Sequence, residues 1–147
     1  MKRRLAMACA AISLWATTGA APPQAAYLPN PVIDLVKMEV YAAGGRSWVR
    51  YSFDVTNKSD YPDALFAPAP TLPPCGLNKN SSRTWVDFFS ADGTRLYGFC
   101  ALGKAQDLGT IWFASERGTP APASVYIEIM DRQTGIKYRS NLAPTKF

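Results

Sequence analysis

The stretch Pro74–Cys100 (PCGLNKNSSRTWVDFFSADGTRLYGFC) constrains this chain more than any other. Two alternating apolar runs flank Ala91-Asp92-Gly93, a three-residue turn with glycine at the position that takes a left-handed conformation. Such a turn fixes the register of a hairpin. It sets Ser90 opposite Thr94, Phe88 opposite Leu96, Val86 opposite Gly98 and Thr84 opposite Cys100. Val86, Phe88, Leu96 and Cys100 then face a core. Trp85, Asp87, Phe89, Arg95, Tyr97 and Phe99 share the other face, where rings with polar neighbours form a candidate binding surface. A Cys75–Cys100 bridge would staple the hairpin to the polar loop before it, whose Asn78, Asn80 and Arg83 form a candidate binding loop.

That pairing depends on the compartment, and the N-terminus speaks to it. Met1-Lys2-Arg3-Arg4 is a basic opening, Leu5–Trp15 an apolar run too short to span a bilayer, and Thr18-Gly19-Ala20 a small-residue cleavage site. Residues 1–20 read as a signal peptide, and an exported chain, periplasmic or secreted, meets an oxidising compartment in which two cysteines pair. Cys9, inside the apolar run, leaves with the leader. The formal charge of +5 from 16 basic and 11 acidic residues falls to 13 − 11 = +2 once Lys2, Arg3 and Arg4 are removed. No basic cluster remains to suggest nucleic acid, and no later stretch suggests stable membrane insertion.

The rest of the chain reads as strands and turns. Residues 21–31 are proline-rich and read as a mobile lead-in; residues 32–147 form one domain. In Val32–Tyr41, Val36, Met38 and Val40 alternate with Lys37, Glu39 and Tyr41, the pattern of a half-buried strand. After Gly44-Gly45, Val49, Tyr51, Phe53 and Val55 alternate with Trp48, Arg50, Ser52 and Asp54, so an antiparallel sheet with one wet face is expected. Tyr61–Pro74 carries five prolines, which a central ladder does not accept, and reads as a long excursion with Leu65, Phe66 and Leu72 tucked inwards. Leu108–Ala114 reads as a short strand. A last hairpin around Arg132–Gly135 puts Val125, Ile127, Ile129, Ile136, Tyr138 and Leu142 on one face and Glu128 opposite Arg139. About seven strands and no helix predict an all-β, antiparallel β-sandwich.

The strand and turn Trp48–Asp60 (WVRYSFDVTNKSD) resemble those of immunoglobulin-like and fibronectin type III-like sandwiches of bacterial exported proteins. The resemblance implies an immunoglobulin-like sandwich of about seven strands and no particular activity. It does not extend to the inter-sheet bridge of antibody domains, because the second strand has no cysteine.

The chemistry-bearing residues are sparse. With no histidine, neither a Ser–His nor a Cys–His arrangement can be built, and a cysteine zinc site cannot be completed. No phosphate loop or nucleophile elbow is present, so neither catalytic residues nor a cofactor or metal is expected. Asn57, Asp60 and Asp63 carry oxygens for calcium but lack a ligand-loop spacing, and they read as turn residues. Asn57-Lys58-Ser59 and Asn80-Ser81-Ser82 match the glycosylation sequon. The expected role is a non-catalytic binding or interaction domain for a protein or envelope component. A carbohydrate-binding module on the Trp85/Tyr97/Phe99 face is the alternative, with a polysaccharide partner, and a carboxylate-dependent hydrolase is a weaker one.

Overall fold

The alternation in Arg46–Val55 organises one half of the molecule. This strand, β2, buries Tyr51, Phe53 and Val55 and turns Trp48, Arg50 and Ser52 outwards. It lies between β1 (Ile33–Ala43) and β5 (Ile111–Glu116) in a three-stranded antiparallel sheet. The second sheet has five strands: β4 (Arg95–Ala101), β3 (Thr84–Ser90), β6 (Ser124–Asp131) and β7 (Lys137–Arg139) in that order, with β8 (Ala143–Pro144) on β6 beyond β7. The computed structural model describes residues 27–75, 81–101 and 103–147. The proposed leader, residues 21–26 of the lead-in, and Asn78 and Asn80 lie outside them.

The protein is therefore an all-β sandwich. Rings fill its centre: Phe88 of β3 meets Phe53 at 5.7 Å and Phe113 at 5.4 Å between centroids, and Phe113 stacks on Tyr51 at 5.0 Å. Val86, Val125, Ile127, Ile129 and Tyr138 complete the layer from the larger sheet. The connection from β2 to β3 crosses between the sheets. Within it, the short 3-10 turn Asp63–Phe66 plugs Leu65 and Phe66 into the core. Buried polar groups on this crossing are paired, as burial demands: Thr84 Oγ1 donates to the Leu65 carbonyl, and Ser82 Oγ donates to that of Ala101. Cys75 and Cys100 are joined across 5.9 Å between Cα atoms, and Arg132 donates to Cys75 Sγ and to the Ser82 and Pro73 carbonyls.

Several expectations need correction. Tyr27–Pro31 is fastened rather than mobile: the Pro29 carbonyl accepts from Tyr61 Oη at 2.6 Å, and Asn57 bonds both Val32 N and the Asn30 carbonyl. Val36, Met38 and Val40 are exposed: Val36 sits in a bulge between Leu35 and Lys37, Met38 and Val40 lie opposite Tyr51 and Val49 but on an edge strand, and the core is reached instead through Ile33 and Leu35. Leu108 belongs to a 3-10 turn, Ala105–Thr110, before β5. Leu142 is exposed. Glu128 does lie opposite Arg139 but pairs with Lys137, while Arg139 covers the Tyr126 ring at 3.8 Å.

The hairpin register needs the largest correction. Ser90 N donates to the Thr94 carbonyl, and Phe89 is opposite Arg95, as the turn requires. A bulge at Leu96 then adds one residue to β4. Phe88 faces Tyr97, Val86 faces Phe99, Trp85 faces Cys100 and Thr84 faces Ala101. Directly opposite residues share a face. Tyr97 and Phe99 therefore lie on the side of the sheet that carries Val86 and Phe88, apart from Trp85, Asp87, Phe89 and Arg95.

Candidate functional site

The face expected to bind is thus divided between two sides of the larger sheet. On the outer side, Trp85, Asp87, Phe89 and Arg95 are laced to their neighbours. Arg95 donates to Asp87 at 2.7 Å and reaches over Trp85 at 5.9 Å, and Phe89 stacks on Tyr126 at 5.2 Å beneath Arg139. Gly98 permits the Arg95–Asp87 pair, since a Cβ there would collide with both side chains. Rings on this side are covered by the protein's own cations. Arg83, from the candidate loop, is committed to a bidentate pair with Asp131 at 2.9 and 2.7 Å.

Tyr97 and Phe99 lie elsewhere. β4 is the edge of the larger sheet and β5 the edge of the smaller one, and the two edges meet. Here Tyr97 stacks on Trp112 of β5 at 5.8 Å with the planes 15° apart, and on Phe99 at 6.1 Å. Trp112 points away from the core because it is opposite Ser52, whereas its neighbours Ile111 and Phe113 point in.

Across the outer face of the smaller sheet the same alternation aligns Tyr41, Trp48, Arg50 and Trp112. Tyr41 is opposite Trp48 on β1–β2, Glu39 opposite Arg50, and Arg50 opposite Ala114 on β2–β5. The diagonal neighbours of Arg50 are therefore rings. Its guanidinium lies 4.5 Å from the Trp112 centroid and 4.8 Å from that of Tyr41, and donates to Glu39 at 3.0 Å. Lys37 is the leading cause of the lowered Glu39 pKa, with Arg50 contributing, so this carboxylate keeps its charge into mildly acidic conditions.

The result is a shelf of rings held by one cation. Tyr41, Trp48, Tyr97 and Trp112 rim an open groove of about 490 Å³, and the small residues Ala43, Gly44 and Ala114 complete its lining. The Tyr97–Trp112 stack also walls a second groove of about 200 Å³, which Phe99 and Thr110 line on the far side. Trp112 and Tyr97 remain 36% and 40% exposed, which is high for large rings in a folded domain. Tyr41, Trp48, Arg50 and Trp112 were not singled out by the sequence as a site; the outward phase of β2 was the available signal for two of them.

Other groups are occupied by structure. Asp63 Oδ1 accepts from Ala105 N at 2.8 Å, and Asn57 holds the lead-in. No described groove contains more than one carboxylate. Among the described residues, no group of three or more His, Cys, Asp or Glu is arranged to hold a metal ion, and no helix is long and apolar enough to cross a membrane. Comparison with known protein families, with curated proteins and with solved structures gives no match for this chain.

Proposed function

We propose that the chain is an exported, non-catalytic binding domain that takes a protein partner of the cell envelope on the shelf of Tyr41, Trp48, Arg50, Tyr97 and Trp112. The observation that carries this reading is the Arg50 guanidinium held between two rings beside an open groove rimmed by four. Aromatic and arginine side chains that are rigid and partly exposed contribute most of the energy in protein interfaces. Arg50, stacked and hydrogen-bonded before binding, loses little further freedom when a partner arrives. The strand order supports the immunoglobulin-like reading, with the first, second and fifth strands in one sheet and the third and sixth adjacent in the other.

The polysaccharide alternative is less well served by this groove. A sugar site couples a stacking ring to convergent hydrogen-bonding groups. The side chains of the lining offer two tyrosine hydroxyls and the indole Nε1 of Trp48 and Trp112, and that of Trp48 already donates to the Ala43 carbonyl at 3.2 Å. None of the described grooves gives the hydrolase alternative two carboxylates. Asp87 and Glu128 are opposite each other but lie on the laced outer face, each paired with a cation.

A photo-crosslinking residue at Ala114, exposed to envelope extract, tests the proposal against the same residue at Glu128 on the other outer face. A discrete adduct from position 114 alone, lost with Trp112→Ala, is expected. Equal labelling from both positions, or none, refutes the shelf. A tryptophan emission shift on titration with a soluble polysaccharide, absent in Trp112→Ala, would transfer the site to the carbohydrate reading.

A further inference from the structure

Among the described residues, no element covers the outer edge of β1 over most of its length. Hydrogen-bond direction along it follows from its two ends. Gly44-Gly45, with φ of 59° and 73°, forms a two-residue turn closed by Ala43 opposite Arg46, so Ala43, Tyr41, Glu39 and Lys37 direct their backbone groups towards β2. Ala42, Val40 and Met38 direct theirs outwards. At the other end, Thr56 N bonds the Val32 carbonyl, and Ile33 faces outwards. There the edge is closed by a side chain: Asn141 accepts from Ile33 N at 2.8 Å and donates to its carbonyl at 3.1 Å. Among the described residues nothing comparable covers Met38 to Ala42. The apolar side chains of this stretch are open as well, Val36 at 49%, Met38 at 39% and Val40 at 57%.

We propose that this edge is a self-association surface, on which β1 of a second copy pairs antiparallel about a two-fold axis through Met38. Charge complementarity selects both the partner and the register. In a continuous sheet directly opposite residues share a face, so the axis of a symmetric pair passes through a residue. An axis at Lys37 sets lysine against lysine, and one at Glu39 sets glutamate against glutamate. An axis at Met38 sets Lys37 of each copy opposite Glu39 of the other, twice over. It also joins the outward N–H and C=O of the two Met38 residues and brings Val40 onto Val36 of the second copy. The bulge at Val36 ends the ladder on either side, which keeps the contact short and reversible and stops the edge from recruiting further chains. The three-stranded sheets become one of six, with both aromatic shelves on the same outer face.

Sedimentation of the protein over a concentration series to about 1 mM, the weak limit of a specific contact, reads the dimer. Lys37→Glu and Glu39→Lys should each be monomeric alone, since like charges then oppose twice, and should form a heterodimer when mixed, because both oppositions become complementary. Met38→Pro removes an outward N–H and no bond to β2, so it should stay folded by circular dichroism and remain monomeric. A wild type that is monomeric throughout overturns the proposal. So does a dimer that both charge variants retain, or a mixture of the two that fails to associate.

Discussion

Asp131 ends β6 and gathers four donors. Arg83 Nε and Nη2 bind its two oxygens at 2.9 and 2.7 Å, Gln133 N at 3.0 Å and Thr134 Oγ1 at 2.9 Å. The carboxylate is 5% exposed, so it is bound by protein rather than by water. Asp131→Asn keeps the size but exchanges one acceptor for a donor that faces guanidinium. A hydrogen bond to a charged group contributes about 1.5–3 kcal/mol, and Arg83 can recover part of that by rehydrating, so a loss of about 2 kcal/mol is expected. With a urea slope of about 2 kcal/mol per molar, the unfolding midpoint drops by about 1 M at neutral pH. The pH dependence gives a second check. The Arg83 hydrogen bond leads the causes that hold the Asp131 carboxyl below its usual range, so the folded pKa lies under the unfolded one. Its contribution is complete above the unfolded value and is lost as pH falls through the folded value. The gap between wild type and variant should therefore narrow as pH falls through and below the usual carboxylate range and close once the folded carboxyl is protonated, where the acid resembles the amide. Equal midpoints at pH 7, or a gap that persists in acid, would refute the account.

The remaining predictions concern the staple and the core. Cys75→Ser with Cys100→Ser opens a loop with a sequence separation of 25 and should lower stability by roughly 3–4 kcal/mol, read by urea unfolding; reductant should bring the wild type to the same midpoint. Phe88→Ala leaves a cavity between Phe53 and Phe113 and should cost about 3–5 kcal/mol, with a lowered midpoint and an unchanged slope.

The fold was largely legible because its signals are local. Tyr51, Phe53 and Val55 announce their face by alternation, and Ala91-Asp92-Gly93 announces its turn by chemistry. Val125, Ile127 and Ile129 did the same for β6. The two bulges were not legible, because an extra residue at Val36 or Leu96 leaves a run that still looks like a strand. The Leu96 bulge moved every side chain beyond it to the other face, which is why Tyr97 parted from Trp85. The Val36 bulge instead keeps Met38 and Val40 on the side of Ile33 and Leu35, and their exposure comes from their place on an edge strand. The shelf was hidden for a different reason. Tyr41, Arg50, Trp112 and Tyr97 come from four strands of two sheets, and their meeting depends on strand order, which alternation within a single strand does not encode.

The Leu96 bulge leaves β4 with a competitor. The turn alone would carry its register straight through, setting Cys100 opposite Thr84 and returning Tyr97 to the same side as Trp85. Those two arrangements differ by a single-residue slip and use the same turn. In the structure the Cys100 that bonds Cys75 lies opposite Trp85, at the end of β4 far from the shared turn. What separates the two registers is the side of the molecule on which a tyrosine is displayed.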